Sequence, residues 1–162
     1  MKISIINTPM RGVPDTFPPY GSLCLVQYLK KRGITNVEFI NVDYFRYSVN
    51  EVLDKLINNG TKILGISAVT STAYTYSKEI SLKFKEKKPN SLIVLGGNLA
   101  ASAEIILKKT GVDFCALGEG EIIFYNLVKR AQETKNISDF KDIPGLAYID
   151  ESGEVVNTGY EE

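Results

Sequence analysis

Histidine is absent from the 162-residue chain, and cysteine is nearly so. Without an imidazole the chain has no Ser/His or Cys/His nucleophilic pair, no imidazole metal ligand and no imidazole acid–base catalyst. Cys24 and Cys115 lie far apart, and neither belongs to a C-x-x-C pair that could hold zinc or an iron–sulfur cluster. Each lies among apolar neighbours, so we expect two buried free thiols. We therefore assign the chain no catalytic and no metal-ligating residue.

An excess of charge of one sign is also missing. The 19 basic residues balance 19 acidic ones, and the sequence pI is about 6.4. This balance argues against electrostatic capture of nucleic acid or of an anionic membrane. No apolar run approaches the roughly 18–20 residues that span a bilayer, and the first residues lack the pattern of a signal peptide. We expect a cytoplasmic protein that binds neither nucleic acid nor membrane.

Short apolar runs alternate with amphipathic helical patterns along the chain. Each run predicts a strand followed by a helix, and the strands cover 2–6, 37–42, 62–67, 92–95 and 112–117. The first helix, 21–32, is apolar almost all round and is expected to be well buried. The second begins with a capping-box pattern, Ser48 and Glu51. The alternation predicts a three-layer α/β fold: an open, parallel, five-stranded sheet of flavodoxin-like or Rossmann-like type, order 2-1-3-4-5, with helices on both faces.

The pattern changes near residue 135. Two short apolar segments, 146–149 and 154–157, flank Asp150-Glu-Ser-Gly153, which is typical of a β-hairpin turn. We therefore divide the chain into an α/β domain, 1–135, and a hairpin extension with a linker, 136–162.

The fourth strand runs without alternation from Leu92 to Leu95 and ends in two glycines, Gly96 and Gly97. Because glycine has no Cβ, another part of the chain or a ligand can approach this backbone closely. A tight strand-to-helix turn is the alternative. Ligands of open parallel sheets bind outside the carboxyl ends of the strands. The candidate binding loops at that edge are 7–20, 67–72, 96–102 and 118–121.

The phosphate-binding motifs of this fold class are missing. The loop after the first strand has no G-x-G-x-x-G, and no G-x-x-x-x-G-K-[ST] occurs in the chain. A phospho-receiver domain would carry an aspartate where the third strand ends in Ser67. A flavodoxin would have a Ser/Thr/Gly loop after the first strand, where this chain has prolines. These ligand classes are therefore disfavoured.

Five segments together resemble a known family. They are Pro18-Pro-Tyr-Gly21, Leu64-Gly-Ile-Ser-Ala-Val-Thr70, Val94-Leu-Gly-Gly97, Leu117-Gly-Glu-Gly-Glu121 and Ile143-Pro-Gly-Leu-Ala-Tyr148. In order and spacing the chain is similar, over nearly its whole length, to the cobalamin-binding domain that precedes the catalytic barrel of many radical S-adenosylmethionine proteins. That group includes radical methyltransferases and the anaerobic magnesium-protoporphyrin ester cyclases.

The resemblance implies that cobalamin places its nucleotide tail between the sheet and the helices. It implies hydroxyls for the tail from Ser67 and Thr70, room for the dimethylbenzimidazole beside Gly96 and Gly97, and a ribose acceptor in Glu119. The loop 7–20 would surround the corrin. The full set of implied cofactor-binding residues is Thr8, Pro9, Tyr20, Gly21, Ser67, Ala68, Thr70, Gly96, Gly97, Asn98, Gly118, Glu119 and Gly120.

One motif of other cobalamin carriers is missing. They present D-x-H-x-x-G, whose histidine ligates cobalt, so the resemblance implies cobalamin bound here without a histidine lower ligand. It also implies that the chain is the amino-terminal part of a longer enzyme for methyl transfer or oxidative cyclisation. The [4Fe–4S] cluster and S-adenosylmethionine are then expected only in a downstream radical domain of the same polypeptide.

Two other functions stay open from the sequence. The chain could be a degenerate structural or docking domain that binds no cobalamin and fills the space with its own side chains. It could also bind a different small molecule or nucleotide on the same fold. For single residues the alternative is helix capping, by the hydroxyls of Ser67 and Thr70 or by the carboxylates of Glu119 and Glu121.

Overall fold

A computed structural model describes residues 1–14 and 17–159, and these form one mainly parallel sheet with helices on both faces. The sheet order is β2-β1-β3-β4-β5-β6-β7, and β1 to β5 pair in parallel, which confirms the predicted order of the first five strands. The strands are β1 Ile3–Asn7, β2 Val37–Ile40, β3 Ile63–Ser67, β4 Leu92–Gly96, β5 Phe114–Ala116, β6 Leu146–Ile149 and β7 Val155–Asn157.

Two helical layers enclose the sheet. The helices α3, α4 and α5 pack on one face, and α1 and α6 pack on the other. Short 3₁₀ segments precede α5 and β6, at Asn98–Ser102 and Ile137–Phe140. The α-helices are α1 Tyr20–Lys31, α2 Val42–Phe45, α3 Val49–Asn58, α4 Ala73–Lys87, α5 Ala103–Lys109 and α6 Gly120–Ala131. The three-layer α/β fold predicted from the sequence is therefore confirmed.

Local capping determines where two helices begin. The Ser48 hydroxyl accepts from Glu51 N, and the Glu51 carboxylate accepts from Ser48 N at 2.8 Å, so the predicted capping box of α3 is confirmed. The strand β2 stops at Ile40, two residues short of the predicted end at Val42, because Asn41 caps the short helix α2 by accepting from Tyr44 N. The sequence pattern did not predict α2.

The predicted C-terminal hairpin is confirmed, but the predicted count of five strands is wrong, because the hairpin joins the sheet and extends it to seven strands. The strand β6 pairs antiparallel with β5, and β7 pairs antiparallel with β6. Phe140 and Tyr148 from this part of the chain pack around Phe114 of β5 in the layer that α1 and α6 cover. The domain boundary between residues 135 and 136 stays a prediction.

The expectation that the first helix is well buried is wrong. Of the residues of α1, only Ser22 and Leu29 are buried, and Leu23 is 42% exposed. The expectation of two buried thiols is wrong for Cys24, which is exposed on the same helix, and right for Cys115 in β5. The physical reason is that α1 contacts the sheet at its carboxyl-terminal end and leaves open space beneath its first turns. Composition alone does not distinguish such a helix from a core helix.

No helix within the described residues is long and apolar enough to cross a membrane. The cytoplasmic location expected from the sequence stays a prediction.

The loops after β3 and β4 are held together by their backbones. Ala68 N donates to Gly96 O at 2.9 Å, and Leu99 N donates to Ala68 O at 3.1 Å. Between them, Gly97 has φ 86° and ψ −178°, a conformation that is nearly exclusive to glycine. A Cβ on Gly97 would lie 2.6 Å from Ala68 O. Gly97 is therefore required for this crossing of the two loops.

We expect the two cysteines to differ sharply in reactivity. Burial raises the pKa of the Cys115 thiol to about 12, and only the thiolate reacts rapidly. In the native protein a disulfide reagent at pH 8 should therefore modify only the Cys24 thiol, and unfolding should make the Cys115 thiol reactive as well. In Cys24→Ser the native signal should disappear. A native protein in which both thiols react rapidly would contradict the burial of Cys115.

The adjacent glycines provide a matched pair of substitutions. We expect Gly97→Ala to lower the free energy of unfolding by about 1–3 kcal/mol from backbone strain alone. The steric conflict with Ala68 O should add to this loss. Gly96→Ala should be close to neutral, because its new methyl would lie 3.9 Å from Ala116 Cβ, an ordinary contact distance. Urea denaturation checks both, and equal midpoints for the two variants would show that the crossing does not need Gly97.

Candidate functional site

Two adjoining cavities lie at the carboxyl ends of the parallel strands. The first, here called the slot, has a volume of about 320 Å³ and lies between the sheet, α1 and α6. The second, here called the groove, has a volume of about 690 Å³ and lies between the segment after β1, the start of α1 and α2. The cavities share the lining residues Gly21, Ser22, Ser67 and Val69. They therefore form one continuous, two-part site.

Two glycines on neighbouring strands form the floor of the slot. Gly65 of β3 pairs with Val94 of β4, and Ser67 pairs with Gly96 two residues further along. Residues two apart in a strand share a face, so Gly65 and Gly96 open adjacent positions on the same side of the sheet. A Cβ on Gly96 would meet only Ala116 Cβ within 4 Å, at 3.9 Å. The missing side chain at Gly96 thus leaves open space in the slot, while Gly65 lets neighbouring side chains approach the sheet closely.

Hydrocarbon side chains surround these glycines. A Cβ on Gly65 would lie 3.3 Å from both Ile5 Cγ1 and Phe124 Cζ, so the strand and helix neighbours closely border the floor. Phe124 of α6 is only 3% exposed. The apolar residues that complete the lining beside Phe124 are Ile5, Leu25, Ile66, Val69, Val94 and Ala116. The interior of the slot is therefore suited to a flat apolar group.

The start of α6 forms the outer rim of the slot. Gly118, Glu119 and Gly120 line it, and Glu119 is the N-cap residue of α6 without a side-chain capping hydrogen bond. The capping alternative is thus not observed for Glu119, which is exposed. A carboxylate here can accept hydrogen bonds from hydroxyl groups of a ligand, while the backbone N–H groups of the first turn of α6 can bind an anion.

Aromatic residues border the groove. Phe17 is 76% exposed and Tyr20 is 68% exposed, and Tyr44 and Phe45 of α2 lie on the opposite side. Thr8 is buried beneath them, where its hydroxyl donates to Ser67 O at 3.3 Å. An exposed apolar rim of this kind is typical of a surface that a ligand or another protein domain covers.

An ion pair between the buried Asp43 and the exposed Arg46 connects the segment after β1 to α2. The Asp43 carboxylate accepts from Met10 N at 3.2 Å and from the Arg46 guanidinium at 3.0 Å. The same guanidinium donates to Arg11 O at 3.0 Å, and Arg46 adopts a left-handed φ of 56°. Asp43 is 2% exposed. This arrangement positions residues 10 and 11 beside the groove without help from a ligand.

The structure brings most of the implied cofactor-binding residues to this two-part site. Gly21, Ser67, Gly96, Gly97, Gly118, Glu119 and Gly120 line the slot, while Thr8 and Tyr20 join Gly21 and Ser67 in lining the groove. Among the described residues, four of the set line neither cavity: Pro9, Ala68, Thr70 and Asn98. Their role in binding stays a prediction, as does that of the nine in the cavities.

Local contacts explain why two of these four residues, Thr70 and Ala68, line neither cavity. The Thr70 hydroxyl is 2.7 Å from that of Thr72, and the backbone of Ala68 bonds to Gly96 and Leu99. The N-cap residue of α4 is Thr72, and the helix has no side-chain capping hydrogen bond. The alternative that Ser67 or Thr70 caps this helix is therefore not observed.

Sequence reasoning missed the floor and walls of the slot. Gly65 interrupts the apolar run of β3, and a glycine inside a strand is a known sign that another group approaches the backbone. That signal could have been used. The apolar walls gave no comparable signal, because Ile5, Val94 and Phe124 resemble ordinary core residues in sequence.

We expect Asp43→Ala to loosen the segment beside the groove. Loss of the carboxylate leaves Met10 N and the Arg46 guanidinium without this acceptor, which costs about 1–3 kcal/mol. Trypsin should therefore cleave after Arg11 severalfold faster than in the unchanged protein, as measured by mass spectrometry of the fragments. Asp54→Ala, at an exposed position on α3, is the matched control and should leave the rate unchanged. Equal cleavage of both variants would show that Asp43 does not hold this segment.

The B12 binding domain family model matches residues 8–128 of this chain. Two anaerobic magnesium-protoporphyrin IX monomethyl ester cyclases are similar in sequence. That of Rubrivivax gelatinosus is 28% identical over 148 residues, and that of Cereibacter sphaeroides is 30% identical over 149. Each similarity covers 90% of this chain but only 26% and 24% of those proteins, so the chain spans about a quarter of their length.

Solved structures show the same fold. OxsB, a cobalamin-dependent S-adenosylmethionine radical enzyme solved with aqua-cobalamin and S-adenosylmethionine bound, superposes with a TM-score of 0.77 at 22% identity over 99% of this chain and 22% of its own. The radical S-adenosylmethionine methyltransferase TsrM from Kitasatospora setae, solved with cobalamin and a [4Fe–4S] cluster, gives 0.74 at 19% identity over 100% of this chain and 30% of its own. With the family model matching most of its length, the chain belongs to the B12-binding domain family.

Proposed function

We propose that this chain binds cobalamin with the nucleotide tail in the slot and the corrin ring over the groove. The observation that carries the proposal is the continuity of the two cavities through Gly21, Ser22, Ser67 and Val69. A ligand with one narrow flat part and one broad part fits such a site. Cobalamin has this shape when its dimethylbenzimidazole is detached from cobalt and extended away from the corrin.

The shape of the slot floor supports the proposed binding of the dimethylbenzimidazole base. Gly96 leaves a space that a side chain would otherwise fill, between the walls of Leu25 and Phe124. A two-ring aromatic base is flat and apolar on its faces, so it gains from burial against these walls. An open slot of about 320 Å³ also disfavours the alternative of a docking domain that fills the space with its own side chains.

The polar rim supports the fit for the ribose and phosphate. Glu119 can accept from a ribose hydroxyl, and the Ser67 hydroxyl lies where the slot meets the groove. The amino-terminal turn of α6, at Gly120, provides backbone N–H groups on the same side. These groups would position the tail so that its base enters the slot and its phosphate stays at the rim.

The chain would offer the cobalt of a bound cobalamin no imidazole ligand, because it contains no histidine. When bound, cobalamin would supply the cobalt chemistry of the longer enzyme. The chain would hold the cofactor by its periphery and its tail. No group of His, Cys, Asp and Glu residues in the described part of the chain could hold a metal ion.

We further propose that the chain is the cobalamin-binding part of a longer radical S-adenosylmethionine enzyme for methyl transfer or oxidative cyclisation. The proposal is supported by the likeness to OxsB and TsrM, of which this chain matches 22% and 30%. The exposed aromatic rim of the groove, with Phe17 and Tyr20, would then face the downstream domain across the corrin. The [4Fe–4S] cluster and S-adenosylmethionine would be held by that downstream domain.

Titration of the 162-residue protein with hydroxocobalamin tests the proposed function. We expect a change in the absorption spectrum to the form with the base detached, and retention of cobalamin through gel filtration. In the cobalt(II) form, electron paramagnetic resonance should show no nitrogen splitting from an axial ligand. No spectral change and no retention at high micromolar cobalamin would refute the proposal.

We expect Gly96→Val to separate binding from stability. The valine side chain would occupy the floor of the slot next to Ala116, so the free energy of unfolding should stay level or rise. Cobalamin affinity should fall by roughly ten- to a hundredfold, the equivalent of about 1–3 kcal/mol of steric conflict. Ala101→Val, at an exposed position outside both cavities, is the control and should keep full affinity. Undiminished binding by Gly96→Val would place the base elsewhere.

A further inference from the structure

Polar and apolar side chains are sharply separated within the slot. Of the described residues that line it, those with polar side chains are Ser22, Ser67, Glu119 and Glu121. Ser22 and Ser67 also line the groove, so they lie where the two cavities meet. Glu119 and Glu121 also border a depression on the outer surface beside Cys24 and Tyr28, so they lie at the rim.

The deep part of the slot carries only hydrocarbon side chains and glycine. Its floor is Gly65 and Gly96, and its walls are the side chains of Ile5, Val94, Phe124, Leu25 and Ala116. Strand backbone at Gly65 is already engaged in the sheet between Ile5 and Val94. A group that enters this part therefore finds surfaces for van der Waals contact and no side chain that donates or accepts a hydrogen bond.

Cobamides differ from one another mainly in the lower base at the end of the tail. Dimethylbenzimidazole has only CH and methyl groups on its six-membered ring, and a phenolic base such as cresol has only CH and methyl groups on its ring. Adenine has two ring nitrogens and an amino group on its six-membered ring. That ring is far from the ribose, so in the extended tail it enters the slot most deeply.

We propose that the slot selects cobamides by their lower base, accepting benzimidazole and phenolic bases and disfavouring purines. This selectivity rests on the proposed binding of the tail in the slot. The physical reason is that a purine would bury its nitrogens and amino group without partners, and each buried polar group without a hydrogen bond weakens binding substantially. A benzimidazole or cresol ring buries no such polar group on its six-membered ring, so its binding is not weakened in this way.

The test compares four corrinoids in their dicyano forms: cobalamin, adeninylcobamide, cresolylcobamide and cobinamide, which lacks the base. Cyanide then occupies both axial positions of cobalt, so every base is already detached and the cost of detaching it does not enter. We expect cobalamin and cresolylcobamide to bind the 162-residue protein at least tenfold more tightly than adeninylcobamide, with tenfold equal to about 1.4 kcal/mol. Isothermal titration calorimetry measures all four dissociation constants.

The outcomes separate this inference from the proposed function. Equal affinity for cobalamin, adeninylcobamide and cobinamide would overturn the selectivity while leaving corrinoid binding in place. Tighter binding of adeninylcobamide than of cobalamin would also overturn it. Failure of all four corrinoids to bind, in the dicyano form and as hydroxocobalamin, would refute the proposed function and the selectivity together.

A substitution inside the slot tests the cause of the selectivity. Val94→Thr keeps the shape of a wall residue and adds a hydroxyl next to the base, so the preference for cobalamin over adeninylcobamide should shrink severalfold. Val128→Thr places the same hydroxyl in the same core layer without lining the slot, and there the preference should be unchanged. Identical preferences in the two variants would show that the apolar lining does not determine the choice of base.

Discussion

The absence of side chains at Gly65 and Gly96 is the constraint on which the rest of the site depends. Elsewhere on this face of the sheet, residues such as Ile5, Val94 and Ala116 reach toward the covering helices. At Gly65 the Phe124 ring of α6 packs closely against the sheet, whereas at Gly96 the missing side chain leaves a volume that α6 does not close. Unfilled volume in a core costs stability. The fold retains this gap at the edge of the sheet where open parallel sheets bind ligands.

The exposure of α1 follows from the same gap. The helix packs through Leu29 near its end, while its first turns, with Gly21, Ser22 and Leu25, border the slot and the groove. Its apolar side chains are therefore divided between the core of the protein and the lining of the two cavities. The aromatic rim around the groove extends that surface outward. The helix thus packs on the core near its end and presents apolar area beside the two cavities.

Much of the fold could be predicted from the sequence because its signals are local. Alternating runs and helical patterns indicated the five parallel strands and their order, and Ser48 with Glu51 marked the start of α3. The burial of α1 could not be predicted, since apolar periodicity does not report what covers a surface. The hydrogen bonds from Asp43 and Arg46 to residues 10 and 11 could not be predicted either. They join α2 to the segment after β1 only once the sheet has formed.

The glycine pair at the end of β4 shows why a motif needs the structure to be interpreted. In sequence, Gly96 and Gly97 indicated one shared role, a close approach to the backbone by a ligand or by another part of the chain, with a tight strand-to-helix turn as the alternative. In the fold they do different things, because a Cβ on Gly97 would meet the Ala68 carbonyl, whereas a Cβ on Gly96 would enter open space near Ala116. Gly97 lets the loops after β3 and β4 cross directly beyond the strand pair in which Ser67 lies beside Gly96. One glycine therefore meets a packing requirement inside the protein, and its neighbour leaves space in the slot.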